Sequence, residues 1–136
     1  MKINYELLEL EELTLEYCRQ RGLVVDKDVS HFRDNEVHFV IQNGQENEGI
    51  GVIIKDWKRA VGVDIVIRAE KIMKNTRLLS KMLIITNVFS DPARSLADRI
   101  RIFLLTRNDI IRILKSKNDT STARDSSDSQ ENVLLY

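Results

Sequence analysis

The sequence predicts an α/β domain. Its mixed central sheet, part antiparallel meander and part parallel crossover strands, is flanked by helices. Three observations carry this. Residues 23–57 hold three extended segments in succession, with no helical period between them. From residue 62 onward helical and extended periods alternate. Two of the extended segments, "GIGVIIKDW" (49–57) and "LSKMLIITN" (79–87), are apolar almost throughout, as a strand covered on both faces must be. Strands joined by turns pair antiparallel, and strands joined by helices lie parallel with right-handed crossovers. One sheet must therefore contain both.

The elements follow in order. Residues 4–21, "NYELLELEELTLEYCRQR", read as an amphipathic helix, with Leu7, Leu10, Tyr17 and Cys18 at helical spacing and Leu8 and Leu15 widening the stripe. Asn4 is the expected N-cap, and Gly22 ends the helix after Arg19 and Arg21. "LVVDKDVS" (23–30) is β-branched, and "NEVHFVIQN" (35–43) alternates Val37, Phe39 and Ile41 against Glu36, His38, Val40 and Gln42. The turns "FRDN" and "NGQENEG" suit hairpins. "GVDIVIRAEKIMKN" (62–75) puts Ile65, Val66, Ala69, Ile72 and Met73 on one helical side and Asp64, Arg68, Lys71 and Asn75 on the other. "SDPARSLADR" (90–99) is a helix with Asp91 as expected cap and Pro92 at the first helical position. A strand over "IRIFLLT" (100–106) and a closing helix over "RNDIIRILKSK" (107–117) complete the domain.

Composition sets the outer limits. The 136 residues suit one domain at 1–115 with a single core, followed by a polar tail at 116–136. The tail is rich in Ser, Thr, Asp and Asn and is expected to stay disordered. Its apolar end, Val133, Leu134, Leu135 and Tyr136, reads as a segment folding back on the body or as a docking peptide for a protein partner. No apolar run approaches the roughly 20 residues of a membrane span, and the acidic N-terminus does not suit a targeting peptide, so the cytoplasm is the default location. One cysteine, Cys18, excludes an internal disulfide and a multi-cysteine zinc site. Net charge is zero, but it divides into −2 on the tail and +2 on residues 1–115.

Two stretches resemble a known family. "EVHFVIQNGQENEGIGVIIKDWKRAVGV" (36–63) looks like the central hairpin, catalytic Lys and following loop of the restriction-endonuclease-like, PD-(D/E)XK, fold in its Mrr-like branch. "KMLIITNVFSDPARSLADRIRIFLLTRNDIIRIL" (81–114) is similar to that branch's later strand, helix start, short strand and terminal helix. The resemblance covers about residues 4–114 and implies a nuclease scaffold. In that family an Asp and a Glu hold a divalent metal, and a Lys two residues after the second acid orients the attacking water. Carried over by position, the first acid falls on His38, the second on Ile53 and the Lys on Lys55. An imidazole is a poor magnesium ligand and an aliphatic chain is none. The expected protein is therefore a pseudo-nuclease without a cofactor.

Relocated acids are the test of that expectation. Glu36 should share a strand face with His38, Asp56 adjoins Lys55 on the opposite face, and Glu48 opens the third strand. Glu6, Glu9 and Glu16 on the first helix are candidate outer ligands. If activity exists, Glu36, His38 and Lys55 carry it, with Mg2+ or Mn2+ as the ion. His31 and His38 are not spaced as a local metal pair.

A site emptied of acids is left cationic. Lys55, Lys58 and Arg59 at the strand end, with Arg68 and Lys71 on the next helix, form a candidate DNA-binding set. Trp57 interrupts the basic run, as a base-stacking ring or as packing against the sheet or a partner. DNA is the expected partner, bound in a salt-dependent and weakly sequence-specific way, in repair, recombination or restriction-related processes. The alternatives are an interaction or homodimerising subunit without a nucleic-acid role, and an active endonuclease with relocated carboxylates.

Overall fold

The computed structural model describes residues 3–30, 32, 36–42 and 49–118. A single 3-10 turn, Tyr5–Leu7, leads into α1 (Leu10–Gln20). Then come β1 (Val24–Asp26), β2 (Phe39–Gln42), β3 (Gly49–Lys55), α2 (Val63–Lys74), β4 (Leu79–Thr86), α3 (Asp91–Ile100), β5 (Phe103–Thr106) and α4 (Arg107–Asn118). The five strands lie in sequence order, β1 to β5. The β1–β2 and β2–β3 pairs are antiparallel, and the β3–β4 and β4–β5 pairs are parallel. The mixed α/β sheet is thus the one the pattern predicts.

Side-chain alternation explains the layering. On β3, Ile50, Val52 and Ile54 join a cluster built with Leu10, Leu13 and Tyr17 of α1 and Ile110 and Leu114 of α4. Ile53 points the other way, into a cluster with Ile65, Val66 and Ala69 of α2 and Ala93 and Ala97 of α3. β4 does the same, with Leu83 and Ile85 on the first side and Met82 and Ile84 on the second. A sheet sandwiched in this way must be apolar on both faces in its central strands. All six residues from Gly49 to Ile54 are buried.

Close approach sets the glycine at position 51. A Cβ there would lie 2.6 Å from Met82 Sδ and 2.8 Å from a Leu79 methyl. Gly22 serves a different need: its φ of +68° lets the chain leave α1, with Leu23 N–H donating to the Cys18 carbonyl at 2.9 Å.

Local details differ from the sequence pattern. Asn4 caps the 3-10 turn, accepting from Glu6 N–H at 3.2 Å, and α1 starts only after Glu9, whose N–H donates to Glu12 Oε1 at 3.1 Å. Leu7 therefore falls outside α1 and is 80% exposed, and Leu13 takes its place in the stripe. Ser90 caps α3, not Asp91, because its hydroxyl reaches the Ala93 N–H at 3.2 Å. Asp91 then occupies the first helical position, where the dipole favours its charge, and Pro92 comes second. Thr106 and Asp109 exchange backbone-to-side-chain bonds at the start of α4, at 2.9 and 3.1 Å. The strands are shorter than the extended segments that announce them.

Cys18 is buried, and burial pushes its thiol up to about 12, as befits a small core side chain. No helix among the described residues is long and apolar enough to cross a membrane. The two hairpin turns lie largely outside the described residues, as does the chain after 118, including Val133, Leu134, Leu135 and Tyr136.

Replacing Gly51 by Val should destabilise the fold by about 1–3 kcal/mol through overpacking against Met82 and Leu79. Urea unfolding measures it. An unchanged midpoint would mean that the packing of β3 against Met82 and Leu79 of β4 is loose enough to admit the side chain.

Candidate nucleic-acid interface at the end of the third strand

β3 emerges from the core at Lys55, the first residue of the strand that is only half-buried. Beyond it, residues 56–62 form a loop held at several points. Asn87, just after β4, donates through Nδ2 to Asp56 Oδ1 at 2.9 Å and to the Trp57 carbonyl at 2.8 Å. Its Oδ1 accepts from Arg107 Nε at 3.0 Å. Arg107 also donates to the Leu8 carbonyl at 2.7 Å and lies 3.7 Å from an Asp56 oxygen. The far end of the loop is tied by Val61, which bonds Val88 and Ser90 through its backbone at 2.9 and 3.0 Å. Arg107 and Asn87 thus join the segment leading into α1, the β3 loop and the start of α4, a role that sequence spacing does not reveal.

The loop gathers cations around Trp57. The guanidinium carbon of Arg59 stands 4.3 Å from the ring centroid and the Lys55 ammonium 5.4 Å away. Trp57 itself is half-buried against the α2–α3 cluster. Lys58 and Arg59 are exposed. Among the described residues, Lys55, Lys58 and Arg59 make no ion pair. Arg68 and Lys71 are placed elsewhere. They line an open cavity of about 850 Å³ on α2, together with Phe32, Glu36 and Asp64. The five expected cations therefore form two groups, and two acids share the second.

Each candidate acid position has an occupant that can be stated. Ile53 is 2% exposed and packed in the core. His38 sits just before β2, where its Nδ1 accepts the Ile54 N–H at 3.2 Å and its own N–H donates to the Val52 carbonyl at 2.8 Å. The imidazole thus takes a place in the β2–β3 ladder that a backbone carbonyl would otherwise fill. Glu36 does not share a strand face with His38. β2 begins only at Phe39, and Val37 packs with Val40 in the same cluster, so period-two alternation fails over 36–38. Asp56 is engaged by Asn87 and Arg107. Glu6 pairs with Lys115 at 2.8 Å, which holds its carboxyl below the usual range. Glu16 is lowered likewise, chiefly by its hydrogen bond to Arg19. Glu9 caps α1. His31 and Glu48 lie outside the described residues.

Glu11 is the acid that the sequence pattern does not single out. Burial pushes His38 below the usual imidazole range, the Glu11 carboxylate opposes that shift, and Lys55 reinforces it. Glu11 and Lys55 thus act on the His38 imidazole in opposite directions.

The donor set can be tested against the metal of this fold. It consists of one imidazole whose Nδ1 already accepts a hydrogen bond, one buried aliphatic chain and one ammonium, with the Glu11 carboxylate acting on the imidazole from α1. A hard dication needs several oxygens. These residues do not fit it. Among the described residues, no group of three or more His, Cys, Asp or Glu side chains is placed to hold a metal ion.

A mixed sheet between helical layers, with a central hairpin ending in a lysine, is the architecture expected of the restriction-endonuclease-like class. The family model described as restriction endonuclease, of the Mrr catalytic type, matches residues 4–114, and the chain belongs to that family. No curated protein matches the chain, and no solved structure does.

The His38 bond predicts a pH effect. The folded state holds the imidazole below its unfolded value of about 6.5, so the unfolded chain binds more protons between the two values. The stability that His38 contributes is full above the unfolded value and is lost as pH falls through the depressed one. His38→Ala should cost about 1 kcal/mol near neutral pH. His38→Asn keeps an acceptor for Ile54 N–H and should remove only the pH-dependent part. Urea unfolding at several pH values distinguishes the two.

Proposed function

We propose that this nuclease-family chain binds DNA through the loop after β3 and does not cleave it by the metal route of its fold. The observation that carries this reading is the end of β3. There an aliphatic residue fills the second acid position inside the core, while Lys55 and Arg59 collect on Trp57 without carboxylate partners among the described residues. Phosphodiester cleavage gains several kcal/mol of barrier lowering from a Lewis acid, and Ile53 offers such an ion no ligand. Cations alone still hold a phosphate backbone, with an affinity that falls steeply with salt. Repair, recombination or restriction-related processes are the setting this implies, and the cytoplasm the compartment.

A second reading rests on α2. Val63 and Ile67, one turn apart on that helix, are 39% and 42% exposed. Such a face supports a homodimer or a protein partner without a nucleic-acid role. Sedimentation at rising concentration tests the homodimer.

Plasmid nicking with Mg2+ or Mn2+, run beside a mobility-shift assay, separates the readings. The expected outcome is a salt-sensitive shift without nicking. Metal-dependent nicking that is lost in Glu36→Ala or His38→Ala would restore the reading with relocated carboxylates. Neither shift nor nicking would leave the interaction role. The double variant Lys58→Ala, Arg59→Ala should weaken DNA binding and lower the salt dependence by about two phosphate contacts. Unchanged affinity would place the surface elsewhere.

A further inference from the structure

We infer that Trp57 is a platform that positions Lys55 and Arg59 as a paired clamp for a phosphodiester oxygen, so that this site reads the nucleic-acid backbone and not a base. The inference rests on the DNA-binding reading above and specifies what is bound. A lone tryptophan in a basic loop suggests a base-stacking ring. Its surroundings argue otherwise. A guanidinium 4.3 Å from the centroid already covers the ring, and a base could stack on that face only by displacing Arg59. The Lys55 ammonium, at 5.4 Å, also lies within the roughly 6 Å at which a ring attracts a cation.

The ring is fixed independently of these cations. Its body packs against the α2–α3 cluster, and its carbonyl accepts from Asn87, which Arg107 holds in turn. Two like charges drawn to one rigid ring repel each other. The ring's negative face offsets part of that cost, and an anion between them offsets the rest. No acid among the described residues supplies that anion to Lys55 or Arg59. A phosphodiester suits the pair: the planar guanidinium offers a fork of donors, and the ammonium a point charge. Trp57 on this reading is a positioning residue.

The test uses the full chain and two ligands: a short single-stranded oligonucleotide, and a fully abasic strand with the same number of phosphates. Both should bind with affinities within about twofold of each other and with the same salt dependence. Trp57→Phe keeps a ring and should bind as wild type does. Trp57→Leu keeps the apolar packing but loses the ring face, and should weaken both strands by about fivefold. Circular dichroism checks that each variant folds, and the abasic comparison needs no variant at all. Loss of more than about tenfold on removing the bases would overturn the clamp, since a stacked base is worth that much. So would a folded Trp57→Leu that binds as tightly as Trp57→Phe. Binding to neither strand would remove the DNA-binding reading and the clamp together, whereas binding to the base-bearing strand alone removes only the clamp.

Discussion

Burial of β3 on both faces is the constraint from which the rest follows. A strand pressed between two helical layers has no solvent-facing side until it leaves the sheet. Ile53 is therefore committed to the α2–α3 core, where a carboxylate would be buried among Ile65, Val66 and Ile84. An unpaired charge in such a place carries a large desolvation cost. The scaffold can keep a metal-binding acid there only if the metal and a cleft come with it. In this chain the position has become part of the packing, and the polar character of the strand begins two residues later, at Lys55.

The same economy appears beside it. His38, where the resemblance puts the first acid, is used as a structural acceptor, closing the β2–β3 ladder at Ile54. An imidazole held in that bond is neutral, and its burial keeps it so. The loop that follows β3 is held with equal firmness by Asn87, Arg107 and Val61. Its cations thus project from a fixed base.

What was legible in the sequence was what rests on burial. The apolar runs at 49–54 and 82–85 announce strands covered on both faces, and the stripe Ile65, Val66, Ala69, Ile72 announces α2; all are buried as the pattern requires. Features set by contacts distant in sequence were not legible. The hydrogen bond from Ile54 to His38 spans 16 positions, and that from Arg107 to Leu8 spans 99. The break in alternation at 36–38 comes from Val37 turning into the second cluster, which no period of two can foresee. Caps fall between these cases. Ser90 and Asp91 are both competent, and only the geometry of the Ala93 N–H selects the serine. At the site, the burial of Ile53 could be read from the apolar run it sits in. The proximity of Glu11, the separation of Arg68 and Lys71 from Lys55, and the gathering of two cations on Trp57 needed three dimensions.

Whether the end of β3 can hold a hard cation is decided most directly by titrating the folded chain with Mn2+ and following its amide resonances by NMR. A paramagnetic ion broadens nearby signals strongly. A strand end that offers an imidazole, an isoleucine and an ammonium, with the single carboxylate of Glu11 acting on that imidazole, should leave His38, Ile54 and Lys55 no more broadened than the rest of the surface. Selective loss of those three signals at low Mn2+ would mean that oxygens of this chain do gather there, and would contradict the central claim.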